Sequence, residues 1–266
     1  MSIRLQSLLF LLLAGAMCLP ACQTNPVTGR SSLNMVPDST LNSLGAQGYQ
    51  EVLSKEPLSR DARKTEIVRR VAQRIAAVSP VQMDWEISLI ESNQANAFVL
   101  PGGKIVVYTG ILPICETEAG LAFVLGHEVG HAVAKHGGER MTQSLLIQGG
   151  LTAASLSLGD SQNAPMIMGA LGLGAQYGVA LPFSRSHESE ADEMGILFMA
   201  EAGYDPRVAP DLWVRMGQAS GGQAPPEFTS THPANERRTR DLQGHMDQAM
   251  KIYDASAKKY GVGVKL

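Results

Sequence analysis

Cysteine, aromatic side chains and a surplus of either charge are what this chain has least of. It carries 3 cysteines in 266 residues. Cys18 falls in an apolar N-terminal stretch expected to be removed, and Cys22 sits at its end, which leaves Cys115 alone. No intramolecular disulfide is then expected, and one thiol without a neighbouring histidine motif makes a poor thiol-protease centre. Aromatics make up only 5% of the chain, while glycine (27) and methionine (12) are plentiful. That balance speaks against a β-sandwich and for helices packed closely through small residues. The formal net charge of -3 gives no electrostatic footprint for nucleic acid. There is no internal repeat, no extended low-complexity segment and no run of repeated helix pairs after residue 234.

What is present suits one domain with a core. The hydrophobic fraction is 44%, ordinary for a globular protein. Residues 1–21 read as an export signal: Arg4 supplies the positive n-region, Leu5 to Leu19 is apolar, and Leu19-Pro20-Ala21-Cys22 resembles a bacterial lipobox. Cys22 is the expected lipidation site, residues 22–37 a polar tether, and residues 38–266 the folded domain. Gln23 and Thr24 follow the lipid site with no aspartate, which favours the outer membrane, facing the periplasm.

Periodicity divides the domain. Helices are expected at about 38–55 and 59–78, the second from apolar spacing at Ile67, Val68, Val71, Ile75 and Val78. The period then changes to two. Strands are expected near 85–90, 96–100 and 104–109, with Pro101-Gly102-Gly103 as a turn, forming a small antiparallel sheet. Helices dominate the rest: 116–136 ended by Gly137-Gly138, then 139–158, 164–181, 184–202, 206–218 and 234–258. Residues 145–183 are mostly apolar or small. Gly169, Gly172, Gly174, Gln176 and Gly178 favour a helical hairpin there, with contact with a membrane as the alternative.

The chemistry lies in His127-Glu128-Val129-Gly130-His131. At about 100° per residue, His127 and His131 share a helix face and can reach one metal ion. Glu128 lies one step round, placed to address a water on that metal. Chance alone would give this pattern in roughly 1 in 100 chains of this composition. By the same arithmetic His136 lies about 180° from His127 and is expected to face solvent. A hydrolytic zinc site needs a third protein ligand. Glu188 and Asp192 are candidates, since they share a helix face at i, i+4 while Glu190 points away. His187 and His245 are expected to be structural or solvent-facing.

Together with these motifs stand Asn25-Pro26-Val27-Thr28-Gly29-Arg30, Asn96-Ala97-Phe98, Ser184-Arg185, Glu188-Ser189-Glu190-Ala191-Asp192, Thr231-His232-Pro233 and Glu236-Arg237. In this order they resemble the HtpX-like and CAAX-prenyl-protease-like zinc metallopeptidases, and among them the secreted bacterial lipoproteins of the BepA and LoiP type. The resemblance implies an α+β fold: a mainly helical, zincin-like metallopeptidase domain with a small antiparallel sheet beside the active-site helix. It implies one Zn2+ held by His127, His131 and Glu188, with Glu128 catalytic and Asp192 supporting a ligand imidazole. It implies that Asn96, Ala97 and Phe98 form an edge strand that binds extended peptide. His232 is implied to approach the metal, either stabilising the oxyanion or filling the open position as a fourth ligand. The activity implied is endopeptidase cleavage of polypeptides, with misfolded or unassembled envelope proteins as candidate substrates and no nucleic acid. The competing expectation is a chaperone-like outer-membrane assembly factor whose protease site is mostly latent.

Overall fold

In a computed structural model of the chain, the described residues are 22–158, 184–219, 228, 232 and 236–266. The expected signal (1–21) and the helix at 164–181 lie outside them. So does most of the loop around His232. Among the described residues no helix is long and apolar enough to cross a membrane.

The elements follow the expected order with shifted ends. Strands β1 (Cys22–Thr24) and β2 (Ser31–Leu33) precede helices α1 (Asp38–Lys55) and α2 (Ala62–Val78). Strands β3 (Glu86–Ile90), β4 (Ala97–Leu100) and β5 (Lys104–Tyr108) come next. The remaining helices are α3 (Leu112–Cys115), α4 (Glu118–Val133), α5 (His136–Leu158), α6 (Arg185–Glu201), α7 (Ala209–Ala219) and α8 (Glu236–Ala255). Local chemistry sets several starts. The Asp61 carboxylate accepts from Lys64 N–H at α2, Thr117 Oγ1 accepts from Gly120 N–H at α4, and Ser184 Oγ from His187 N–H at α6.

Two expectations about these elements are corrected. The main sheet is mixed rather than antiparallel: its order is β3-β5-β4, with β4 antiparallel to β5 but β3 parallel to it. The Pro101–Gly103 turn closes the β4–β5 hairpin as expected, with Gly102 and Gly103 at φ +81° and +84°. Alternating hydrophobicity fixes which face a strand buries, not which strand lies beside it. The other correction concerns residues 22–37. This stretch, expected as a tether, carries the antiparallel β1–β2 hairpin, and its Asn25 and Asn34 are buried.

Strand β5 is buried along its whole length and divides the core. Ile105 and Val107 face the large cluster shared by α2, α4, α6, α7 and α8. Val106 and Tyr108 face a smaller one closed by Tyr49 of α1. Helix α4 lies behind the sheet with nearly every residue buried, and β4 is the sheet's edge strand beside it.

Close approach of two backbones positions the site. Helix α6 packs most extensively on α4. A Cβ at Gly126 would sit 2.8 Å from Gly195 O, and one at Gly195 would sit 2.9 Å from His127 N. Real Cβ atoms do not come this near, so only glycine permits the crossing. The crossing brings Glu188 and Asp192 of α6 up to His127 and His131 of α4. Cys115 is fully buried in the core, and burial pushes its thiol up to about 12.

Candidate metal centre

Four donor groups converge at the α4–α6 crossing. One ligand atom from each of His127, His131, Glu188 and His232 lies within 4.8 Å of the others, and all four residues are buried. His127 Nε2 is 3.1 Å from His131 Nε2 and 3.2 Å from His232 Nδ1. Glu188 Oε1 lies 3.4 Å from His131 Nε2 and 2.9 Å from His232 Nδ1. Two nitrogens held tetrahedrally by one zinc at about 2.0–2.1 Å stand about 3.3 Å apart, so the spacing fits. The donor set, imidazole with one carboxylate, is also zinc's.

Glu128 points into the same space. Its Oε1 has no hydrogen-bond partner among the described residues, and His232 Nε2 lies 3.5 Å from it. A buried carboxylate oxygen left open in this way is costly unless another group approaches it. Burial pushes the Glu128 carboxyl up to about 7, against the pull of His232. The Val99 backbone N–H, from edge strand β4, also pulls it down. Burial also drives His127 down to about 4 and His131 well below the usual imidazole range. Both rings are therefore neutral near pH 7, the form that binds metal. Burial opposes the charge on Glu188, but hydrogen bonds from His131 and His232 and the charge of Arg238 hold its carboxyl far below normal.

Each ligand imidazole is oriented from behind by its Nδ1. His127 Nδ1 faces Asp192 Oδ1 at 2.9 Å. Arg238 grips the same carboxylate twice, Nε on Oδ2 at 2.6 Å and Nη2 on Oδ1 at 2.7 Å. Its third nitrogen reaches Glu188 Oε2 at 2.6 Å. Arg238 is fully buried, with its guanidinium 3.6 Å above the Trp213 ring. Sequence reasoning singled out Arg237, but that side chain is exposed and bonds Ser189 and the Arg185 carbonyl. A signal for Arg238 existed: it falls in phase with the buried face of α8, at Leu242, Ala249 and Tyr253.

His136 is a correction. Expected in solvent, it is fully buried, with Nδ1 2.8 Å from His131 Nδ1 and Nε2 2.9 Å from Glu190 Oε2. The helical arithmetic failed because α4 stops before it. Ala134 ends the helix, Lys135 has φ +54°, and α5 begins at His136. Gly137-Gly138, expected to end the first helix, therefore lie in the first turn of the second. Glu190 does point away from the donor cluster, but into this chain of bonds rather than to solvent. His187 is likewise buried, stacked 4.2 Å from the His136 ring, with Nε2 3.1 Å from Glu139.

His232 belongs to the donor cluster and is linked through Phe228 to the approach of the edge strand. Phe228 N–H donates to the Ala95 carbonyl at 3.0 Å, and His232 N–H to the Phe228 carbonyl at 2.8 Å. Asn96 and Ala97 continue from that point. The Asn96 carbonyl accepts from Tyr108 N–H at 2.9 Å, Ala97 is buried, and Phe98 packs toward Tyr108.

Comparison with known sequences decides the family. The model of peptidase family M48 matches residues 59–246, a span holding His127, Glu128, His131, Glu188, Asp192, His232 and Arg238. The chain belongs to peptidase family M48. Its M48 fold is the mainly helical, zincin-like domain with small sheets. Among curated M48 relatives, the mitochondrial metalloendopeptidase OMA1 of Schizosaccharomyces pombe is 38% identical over 232 residues, covering 84% of this chain and 66% of that protein. OMA1 of Arabidopsis thaliana is 36% identical over 231 residues, 85% of this chain and 44% of that one. The beta-barrel assembly-enhancing protease of Escherichia coli is 24% identical over 247 residues, 90% of this chain and 50% of the other. Identity is thus higher to the mitochondrial OMA1 proteins than to the Escherichia coli protein. The chain spans about half to two thirds of the length of these relatives.

Proposed function

We propose that this chain is a zinc-dependent endopeptidase of the bacterial cell envelope, hydrolysing peptide bonds in polypeptide substrates as part of protein quality control. The observation that carries the proposal is the meeting of the His127, His131, Glu188 and His232 donor atoms beside the open Glu128 oxygen. A non-catalytic zinc scaffold fits less well, because it has no use for a buried carboxylate beside its donors. Relatives named as metalloendopeptidases and as a beta-barrel assembly-enhancing protease support the reaction class. The envelope setting rests on residues 1–21 as export signal and on Cys22 as lipid site.

His127, His131 and Glu188 would hold one zinc ion. When bound, zinc supplies Lewis acidity, lowering the pKa of water to about 7 and polarising a carbonyl. Glu128, one helical step from its ligand neighbours, accepts the proton from the attacking water and passes it to the leaving amide nitrogen. Asp192 and Arg238 fix the His127 ring, and the Arg238 charge keeps Glu188 ionised. Edge strand β4, with Asn96, Ala97 and Phe98 at its start, offers backbone groups for an extended substrate.

His232 favours a resting, latent form of this enzyme. Its Nδ1 stands 3.2 Å from His127 Nε2 and 2.9 Å from Glu188 Oε1, so it would share a bound ion with them and compete with a hydrolytic water. Displacing its loop from the Ala95 carbonyl would free that position and the strand's approach together. The test is zinc content and casein cleavage in wild type, Glu128→Gln and His232→Ala. The expected result is zinc in all three, no cleavage by Glu128→Gln and faster cleavage by His232→Ala. Slower cleavage by His232→Ala would make it a catalytic group instead, and full activity of Glu128→Gln would overturn the mechanism. Mass spectrometry of the N-terminus from membrane fractions tests the envelope setting, which an unmodified Met1 in the cytosol would exclude.

A further inference from the structure

The N-terminal hairpin turn reaches the metal centre from outside the family's matched region. Glu190 of α6 is the point of contact. Asn25 Nδ2 donates to its Oε1 at 2.7 Å, and Thr28 Oγ1 donates to the same oxygen. Arg30 Nε donates to Oε2, and its Nη2 extends to Glu139 Oε2 at 2.8 Å. The turn is pre-shaped for this. Asn25 N–H donates to the Arg30 carbonyl at 2.8 Å, Gly29 N–H donates to the Asn25 carbonyl at 3.0 Å, and Asn25 Oδ1 accepts from Val27 N–H at 2.9 Å. So many donors on one carboxylate, only 6% exposed, are more than a tether needs.

The chain continues inward without a break. Glu190 Oε2 lies 2.9 Å from His136 Nε2, and His136 Nδ1 lies 2.8 Å from His131 Nδ1. The other ring nitrogen of His131, Nε2, lies 3.1 Å from His127 Nε2 and 3.4 Å from Glu188 Oε1, so the contact at Nδ1 sets how the ring faces the donor cluster. Metal-bound imidazoles depend on such outer partners for tautomer, ring orientation and basicity. For His127 a carboxylate does this directly. For His131 an imidazole stands between the ligand and the carboxylate, and the carboxylate is held by residues more than 150 positions away in sequence.

We propose that Glu190 and His136, clasped by Asn25, Thr28 and Arg30, are positioning residues for the metal ligand His131. The docked N-terminal turn is thus part of the metal centre's outer support. This deepens the zinc-centre reading above and rests on it.

Zinc affinity, measured by chelator competition on the full chain, tests it without relying on proteolysis. Glu190→Gln keeps the side chain's shape but removes the charge. It is expected to weaken zinc binding about 10- to 100-fold, the range found for outer partners of metal-bound histidines. Thr28→Val and Arg30→Gln, at the partly exposed end, are expected to weaken it less, and the Co2+-loaded forms to show shifted visible absorption. A purely structural clasp would lower the unfolding temperature of the metal-free protein and leave zinc affinity within twofold of wild type. That result overturns the proposal. If Glu190→Gln does not fold, the wild type still decides. In the zinc-loaded, 15N-labelled protein, a scalar coupling across the His131–His136 N–H···N bond is expected, and its absence refutes the chain. Failure of the wild type to take up zinc would sink the metal-centre reading itself. Zinc uptake with unchanged variants would sink only this inference.

Discussion

The two candidate ligand histidines of α4 sit one helical turn apart, yet different regions of the molecule hold them. Behind His127 lies the body's interior: Asp192 from the neighbouring helix, Arg238 from α8 and the Trp213 ring, all almost fully buried. Behind His131 lies a path that runs outward, through His136 and Glu190 to an Arg30 side chain 29% exposed. The first support is sealed by helix packing. The second depends on a short hairpin bonded to the surface of the domain. One metal site therefore has a side that fails only when the fold fails, and a side that can be loosened by itself.

The largest expected effect calibrates the comparison. Glu128→Gln should lower casein cleavage by about 10²- to 10⁴-fold, the usual worth of a general base. It should leave zinc content unchanged, because Glu128 supports neither histidine. Next comes Arg238→Met. It strands the Asp192 and Glu188 charges in the interior, and breaking a buried ion pair from one side costs roughly 3–5 kcal/mol. Chemical denaturation of the metal-free protein should show it. The matching change on the other side, Arg30→Gln, should cost no more than about 1 kcal/mol, since Arg30 is partly in water. If the two arginine variants lose equal stability, the sealed and loosened sides are not distinct.

Gly195→Ala probes the crossing common to both sides. The added Cβ meets the His127 backbone and should cost about 1–3 kcal/mol, the price of overpacking. Alanine at Gly217 of α7, where nothing lies within 4 Å of the new Cβ, should be neutral. Equal effects at the two positions would argue that α4 and α6 can slide apart freely. The smallest effect is kinetic. In a Cys18→Ser/Cys22→Ser background, Cys115 should resist a thiol reagent at pH 8, because burial has pushed its thiol up to about 12 and thiolate is scarce below that. Arg30→Gln should leave this protection intact, whereas Arg238→Met should erode it. Faster labelling in Arg30→Gln would mean that loosening the hairpin opens the core.

The legibility of the fold and site in the sequence followed the range of the interactions. Helix α2 was readable from apolar spacing, and the ligand pair His127 and His131 from a four-residue interval. The Pro101–Gly103 turn was readable because positive φ demands glycine. The parallel partner of β3 was not, because pairing is settled by a chain crossing that alternation does not record. His136 was misplaced because one backbone residue, Lys135, turned the path out of helical phase. Arg238 was passed over for Arg237, although only Arg238 falls in the buried phase of its helix.

The sequence by itself determined the donor types, their helical spacing, the Glu128 carboxylate beside them and the candidacy of Glu188 and Asp192. Those follow from backbone hydrogen bonding that repeats every few residues and needs nothing distant. Only the tertiary structure decided that Gly126 and Gly195 bring the two helices into contact and that His232 joins the donors. It alone decided that Arg238 seals one side and that Asn25, Thr28 and Arg30 clasp the other. These contacts join residues as far apart as 165 positions. They exist because packing desolvates charges that must then find partners, and no local pattern says where those partners are.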